Sequence, residues 1–135
     1  MTTTTIARPV AQDVTLTAFR VVVSFLFGCH GLMGFGLFGG IDGQGGAVEA
    51  WSFPGWWASV IEVGGAAFVL LGVGARVAAL LCSGTMAYAY FVVHQPEGLL
   101  PVQNMGEPAV MFCWAFLVVA VVGPGSYTLD RVFRR

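Results

Sequence analysis

Hydrophobic residues fill four long stretches of this chain, and the polar residues are concentrated between them. The stretches run approximately over residues 16–38, 56–73, 77–93 and 108–122. A helix needs about 20 residues to cross the hydrocarbon core of a bilayer, within a range of about 17 to 25. The fourth stretch reaches that length only with the help of Gly106 and Glu107 before it or Gly123 after it. The pattern therefore predicts four membrane-spanning helices.

Composition supports a membrane protein and excludes other classes. Of the 135 residues 57% are hydrophobic and 10% are charged, and the mean hydropathy is +0.81. A soluble domain would carry roughly 25% charged residues. The net charge of −1 gives no reason to expect nucleic acid as a partner. We expect one membrane domain over residues 13–130, a flexible cytoplasmic tail over residues 1–12 and a basic cytoplasmic tail over residues 131–135.

The arginines predict the orientation of the chain. The basic residues are all arginine, and outside the apolar stretches they fall at the two termini and in the connection between the second and third stretches. The other two connections contain acidic residues and no arginine. Cytoplasmic loops are enriched in arginine and lysine, so both termini are expected in the cytoplasm of a bacterium and the domain in its inner membrane.

Small residues predict how the helices pack. The third stretch has a small residue at every fourth position: Ala75, Ala79, Ser83 and Ala87. Such spacing lets helix backbones approach closely in a membrane. The short turn at residues 72–76 makes the second and third helices an antiparallel hairpin. The expected fold is all-α, an integral membrane four-helix bundle. The three cysteines have no CxxC spacing and are read as small buried residues rather than as a disulfide or zinc set.

Ionisable side chains inside the apolar stretches are the candidates for function. Arg20, His30 and Glu62 lie within them, and Glu107 stands at the start of the fourth. A charge inside a bilayer costs at least a few kcal/mol, so such residues pair, face the bundle interior or line a path. The helix directions place His30, Glu62, Glu107 and His94 in the outer half of the membrane. Arg20 lies about 15 Å lower, nearer the cytoplasm.

Four interpretations of this outer cluster remain open at this point. The pair of His30 and Glu62, with Glu107 near, is either a satisfied polar core that holds the helices in register or an outward-facing pocket that handles a proton or a quinone headgroup. A carboxylate-rich metal site would need His30, Glu62 and Glu107 to converge, with His94 as an optional fourth ligand. A haem would need His30 and His94 as its two axial ligands. Arg20 can snorkel inward, bind a lipid headgroup or pair with helix C-terminal carbonyls.

The order of these residues resembles the DoxX family of small bacterial membrane proteins. The resemblance extends from about Phe19 to Asp130. It rests on Arg20, His30-Gly31, Glu62-Val63-Gly64-Gly65, Gly72, Arg76, Ala79, Met86, Ala89, Glu107, Gly123-Pro124-Gly125 and Asp130. The chain departs from the family pattern at Leu32-Met33-Gly34, where a polar or basic residue often follows His-Gly, and at Thr128, where a serine is usual.

The resemblance implies a redox-associated membrane subunit. The family is similar to a subunit of archaeal thiosulfate:quinone oxidoreductase, and actinobacterial members are linked to oxidative-stress and thiol-redox assemblies. We therefore expect a subunit of a membrane redox complex, with His30 and Glu62 as catalytic candidates, Glu107 beside them and quinone as the cofactor. The alternative is a non-catalytic structural or assembly subunit. The expected partners are the lipid bilayer, other membrane subunits and further copies of the chain. A small transporter is disfavoured because no inverted repeat is visible in the sequence.

Overall fold

The computed structural model describes residues 7–133, and this part of the chain is helical without any β-strand. The five α-helices are α1 (Val10–Met33), α2 (Gly55–Leu71), α3 (Ala75–Ala89), α4 (Glu107–Val122) and α5 (Leu129–Phe133). A π-helical turn and a 3-10 turn follow α3 and extend its helical run to Glu97. The all-α prediction is confirmed.

Two of these helices are long and apolar enough to cross a membrane by length and composition. They are α1, with 24 residues, and the run Ala75–Glu97, with 23 residues. The apolar helices α2 and α4 are shorter, with 17 and 16 residues. All four overlap the four apolar stretches of the sequence. Helix α4 includes Glu107 but neither Gly106 nor Gly123, so its 16 residues stay one short of the lower limit of about 17.

The boundaries differ in detail from the sequence prediction. Helix α1 starts at Val10 and therefore includes residues 10–12, which were predicted to belong to the tail. It ends at Met33, five residues early, because Gly36 adopts a left-handed φ of 85° that no helix can continue through. Residues 131–133 belong to α5, while residues 1–6 and 134–135 of the predicted tails lie outside the described residues.

The four apolar helices pack in chain order, α1 on α2, α2 on α3 and α3 on α4, and α4 also contacts α1. Phe27 of α1 is fully buried at the centre, with its ring centroid 5.0 Å from that of Phe112 and 4.6 Å from that of Phe116. Tilted and edge-on pairs of this kind are favourable beyond their burial. The rest of the core comes mainly from small and medium side chains: Ala66, Val69, Ala78, Ala79, Cys82, Met86, Ala109 and Val119.

The helix ends form two distinct regions. At one, the α2–α3 turn meets the segment after α4: the Gly74 amide donates to the Asp130 carboxylate at 2.9 Å. We call this region, with residues 7–20, 70–76 and 120–133, the arginine end. At the other, which we call the loop end, lie the two long connections of residues 34–54 and 95–106. The first folds back on its own start, because the Val48 amide donates a 2.8 Å bond to the carbonyl of Gly34, the residue directly after α1.

Candidate functional site

His30 and Glu62 meet between α1 and α2 in the half of the molecule nearer the loop end. Nδ1 of His30 lies 3.2 Å from Oε2 of Glu62, within hydrogen-bond distance. The contact depends on Gly31, because a Cβ at that position would lie 2.7 Å from the Cβ of Glu62 and 3.0 Å from the backbone nitrogen of Val63. A glycine beside His30 thus brings the two helix backbones close enough for the side chains to bond.

The two members of this pair differ in exposure. The Glu62 side chain is 7% exposed, whereas the His30 side chain is 48% exposed. The imidazole therefore covers a buried carboxylate and faces outward itself. With Nδ1 directed at Glu62, the other ring nitrogen, Nε2, is left for a second partner. A neutral imidazole can relay a proton between an external group and a carboxylate in this arrangement.

Glu107 does not join this contact. It is the first residue of α4 and is exposed, and within residues 7–133 no hydrogen bond or ion pair connects it to His30 or Glu62. The structure thus brings together two of the three residues that the sequence placed in one pocket. Helix α4 approaches the pair instead through Phe112, whose ring centroid is 6.1 Å from that of His30.

His94 has a partner that the sequence did not suggest. Its Nδ1 lies 3.0 Å from the backbone oxygen of Asn104, in the second long connection. Asn104 is itself buried, donates to the Gly98 carbonyl at 2.8 Å and accepts from the Gly106 amide at 2.9 Å. These bonds fold the connection onto the end of the α3 run. An Asn two residues before Gly106 was the one signal in the sequence, since Asn side chains bond nearby backbone in turns.

The metal and haem alternatives gain no support from this geometry. Across the part of the chain that the structure describes, no three His, Cys, Asp or Glu side chains are grouped to hold a metal ion. The two histidines proposed as haem ligands bond different groups through Nδ1, Glu62 for His30 and the Asn104 carbonyl for His94, and no contact joins the two within residues 7–133.

Arg20 is buried at the arginine end, with 3% of its surface exposed. Its Nη2 donates a 2.8 Å hydrogen bond to the carbonyl of Tyr127, in the segment after α4. A side chain at Gly72 would collide with Nη1 of Arg20 and with Thr128, and Gly72 also has a left-handed φ of 71°. Arg20 is therefore enclosed by the α2–α3 turn and the C-terminal segment, rather than snorkelling to the surface.

Two other arginines bind the helix C-terminal carbonyls that the sequence offered to Arg20. Nη1 of Arg76 donates to the carbonyls of Ala120 and Val121 at 2.7 and 2.8 Å, and Arg8 donates to Val122. Cations at a helix C-terminus satisfy its free carbonyls and oppose its dipole. The carboxylate of Asp130 does not pair with these arginines and instead accepts a hydrogen bond from the Gly74 amide in the α2–α3 turn.

Two cavities of about 660 and 650 Å³ lie at the arginine end. They share lining residues, which are Asp13, Ser126, Tyr127, Thr128 and Arg131. Arg20 lines the first cavity, and Arg8 and Arg76 line the second. Neither cavity is lined by His30 or Glu62, so the polar pair and these spaces are separate features of the molecule.

Comparison with known proteins agrees on one family. The DoxX family model matches residues 15–95, a range that contains Arg20, His30, Glu62 and His94. A Haemophilus influenzae protein described as "Uncharacterized protein" is 35% identical over 122 residues, covering 87% of this chain and 90% of that protein. The Escherichia coli inner membrane protein YqjF is 28% identical over 129 residues, covering 92% of this chain and 95% of its own length. No solved structure matches the chain.

Proposed function

The chain is a membrane protein of the DoxX family, and from this premise we propose that it is a multi-pass subunit of a redox complex in the bacterial inner membrane. In this role His30 and Glu62 form a site that exchanges a proton with a quinone headgroup. The proposal rests on one observation above all, the half-exposed imidazole bonded to a buried carboxylate within an apolar helix pair.

The proposed topology is a four-helix bundle with both termini in the cytoplasm. The two shorter helices α2 and α4, with 17 and 16 residues, lie close to the length that a thin or locally thinned bilayer allows. The arginines near the ends of the helices are gathered at the arginine end, and the acidic residues of the long connections lie at the loop end. That asymmetry supports a cytoplasmic arginine end. The E. coli relative YqjF is an inner membrane protein by name, which supports the same location for this chain.

The chemistry follows from the different exposure of the two side chains. Reduction of a quinone takes two electrons and two protons, and in this proposal a redox partner subunit supplies the electrons. The protonated imidazole of His30 bonds a quinone oxygen through Nε2–H and gives one proton to that oxygen as negative charge develops there, and the second proton comes from water at the membrane surface. The Glu62 carboxylate accepts the Nδ1–H bond, which orients the ring and stabilises its charged form, and water then returns a proton to Nε2. The proton transfer itself therefore requires only the side chains of His30 and Glu62 and water.

The test is to substitute each member of the pair in the complex that co-purifies in mild detergent. Glu62→Gln and His30→Ala should lower quinone-linked turnover by about 10²-fold or more, the usual contribution of a positioned acid or base, while the protein still inserts and assembles. Glu97→Gln, which neutralises an exposed acid at the loop end, is the matched control and should leave turnover unchanged. Wild-type turnover in both pair variants would refute the redox role.

A structural or assembly subunit is the second candidate, and the position of the pair favours it. The hydrogen bond joins α1 to α2 directly beside the close approach at Gly31, where a polar contact would fix the helix register. Under this reading the same substitutions reduce the yield of assembled complex and leave the turnover of each assembled complex intact. Normalising turnover to the assembled complex, measured by size-exclusion chromatography, distinguishes the two roles.

A further inference from the structure

The arginine end contains a buried cation whose hydrogen-bonding capacity is only partly used. Arg20 is 97% buried, and one of its N–H groups is bonded to the Tyr127 carbonyl. Its Nε and Nη1 are also buried and have no hydrogen-bond partner within residues 7–133. A guanidinium offers five N–H donors in a planar fork, and a buried donor without an acceptor is unfavourable. The site is therefore short of hydrogen-bond acceptors.

The surroundings of Arg20 provide room for an acceptor. Arg20 is one of the residues that line the cavity of about 660 Å³, which also has the hydroxyl-bearing residues Ser126, Tyr127 and Thr128 on its wall. This volume is in the range of ordinary ligand sites. The second cavity, of about 650 Å³, shares the same wall. The hydroxyls can add hydrogen bonds to whatever oxygen reaches Arg20.

The charge of this region specifies an anion. Four of the six arginines of the chain line the two cavities, and Asp13 is the one acidic residue on their walls. Arg8 and Arg76 already bond the end of α4, whereas Arg20 and the exposed Arg131 have donors available. Guanidinium groups match the oxygens of phosphate and carboxylate, and phosphate suits a site with several arginines and hydroxyls.

The remaining wall of the first cavity is apolar. It consists of Leu70, Leu71, Leu129 and Val132. An apolar wall beside a cluster of arginines at the end of a membrane helix bundle matches a phospholipid, whose phosphate and acyl chains need both kinds of surface. The same polar groups could also hold free phosphate.

We propose that the arginine end is a binding site for a phosphate group, with Arg20 as its buried anchor and Arg131 at its entrance. The phosphate oxygens accept hydrogen bonds from Nε and Nη1 of Arg20, the two donor atoms that have no partner in the described part of the chain. Because Nη2 is already bonded to the segment after α4, an occupied site would hold that segment against the α2–α3 turn. This site is independent of the proposed redox role, since neither cavity includes His30 or Glu62.

The experiment uses the full chain purified in a non-ionic detergent. Thermal unfolding followed by tryptophan fluorescence, and native mass spectrometry, are recorded with added phosphatidylglycerol, diacylglycerol or inorganic phosphate. Phosphatidylglycerol should raise the melting temperature and remain bound, and diacylglycerol, which has the acyl chains without the phosphate, should do neither. If inorganic phosphate at millimolar concentration gives the same rise, free phosphate is the ligand; if only phosphatidylglycerol does so, the ligand is the lipid headgroup.

Substitutions assign the effect to Arg20. Arg20→Met should weaken binding of the effective ligand about tenfold or more, as expected for loss of hydrogen bonds to a charged group. Arg20→Lys keeps the positive charge but loses the planar set of guanidinium donors, so its affinity should lie between that of the wild type and that of Arg20→Met. Glu97→Gln removes one charge at the loop end, away from both cavities, and serves as the control, with affinity as in the wild type.

The proposal remains testable if Arg20→Met fails to fold. Arg131 is exposed, so Arg131→Gln should fold and bind several-fold more weakly than the wild type. Equal stabilisation by phosphatidylglycerol and diacylglycerol with no effect of phosphate would overturn the proposal. So would unchanged affinity in Arg20→Met, or, where that variant does not fold, in Arg131→Gln.

Discussion

The two ends of this helical domain differ in how completely their buried polar groups are hydrogen-bonded. At the loop end, the carboxylate of Glu62 is bonded to His30, and the buried amide of Asn104 has partners for both its donor and its acceptor. At the arginine end, Arg20 is more deeply buried than His30 and has partners for only part of its guanidinium. The chain supplies hydrogen-bond partners for the buried polar groups at the loop end but not for all of those at the arginine end. This difference is what the proposed binding of a phosphate group at the arginine end explains.

The reason for the difference lies in the kind of element that surrounds each group. The His30–Glu62 contact is made by two helices that approach closely, so its geometry is fixed by regular structure and by one glycine. Arg20 faces a turn and an irregular segment, which offer a carbonyl at one point only. Three predictions test the loop-end half of the molecule, where the chain supplies its own hydrogen-bond partners. They follow in order from the largest expected effect to the smallest.

The largest effect should come from the glycine that allows the pair to form. Gly31→Ala places a Cβ 2.7 Å from that of Glu62, so α1 and α2 must move apart and the free energy of unfolding should fall by about 1–3 kcal/mol. The measurement is reversible unfolding in mixed micelles with increasing SDS.

Gly64→Ala is the matched control for this substitution. Gly64 also lies within a helix, but a Cβ there would have no neighbouring atom within 4 Å. It should be neutral or stabilising by up to about 1 kcal/mol, because alanine is the better helix former. Equal losses in the two variants would mean that α1 and α2 do not pack at Gly31 as described.

A smaller effect is expected from the hydrogen bond itself. A double-mutant cycle with His30→Ala and Glu62→Ala should give a coupling energy of about 0.6 to 1.7 kcal/mol, the range found for hydrogen bonds between membrane helices. The same unfolding assay supplies the four free energies.

The control cycle pairs His30→Ala with Glu97→Ala, because Glu97 is exposed and not bonded to His30. Its coupling energy should be zero within error. A coupling near zero in the His30–Glu62 cycle as well would remove the pair as an interhelical contact and would weaken both proposed roles.

The smallest effect concerns the exposed turn of the first long connection. The Asp42 carboxylate accepts hydrogen bonds from the backbone amides of Gln44 and Gly46, each at 2.8 Å, and these bonds lower the pKa of Asp42 below its usual 3.8. Because the folded-state pKa is depressed, its stabilisation of the turn is fully present above pH 3.8. It is lost as the pH falls through the lower folded-state value.

NMR titration of the Gln44 and Gly46 amides should show this loss as a shift with a midpoint below 3.8. Asp42→Asn keeps an acceptor oxygen without a titrating charge, and its amides should show no such shift. A midpoint at or above 3.8 in the wild-type chain would contradict the bonding described for this turn. The global stability should change little in either case, because the turn is exposed.

Much of the fold could be predicted from the pattern of apolar residues. Each of the four stretches overlaps one helix, and Glu107, one of the flanking residues that could lengthen the short fourth stretch, is the first residue of α4. The helix boundaries were less accurate where glycine conformation decides them, as at Gly36, whose left-handed φ ends the path of α1 five residues before the apolar run does. Hydropathy has no information on such a backbone angle.

Part of the candidate site could be predicted because helices are regular. His30 and Glu62 could be placed at a common depth because a helix rises regularly by about 1.5 Å per residue. Depth alone could not tell which side of α4 Glu107 occupies, and it could not find the Asn104 carbonyl that His94 contacts. Both depend on how irregular connections fold back, which no periodic pattern encodes.

The sequence by itself determined that this is a membrane protein, that it has four apolar helices and which ionisable residues lie inside them. A charged residue within an apolar stretch can be recognised without knowledge of the fold. Only the tertiary structure decided which of those charges are satisfied. Glu62 is paired because Gly31 removes a side chain between two helices. Arg20 is enclosed by Gly72, Tyr127 and Thr128, residues 52 or more positions away along the chain. Hydrogen-bond satisfaction is a property of neighbours in space, and a linear sequence does not state them.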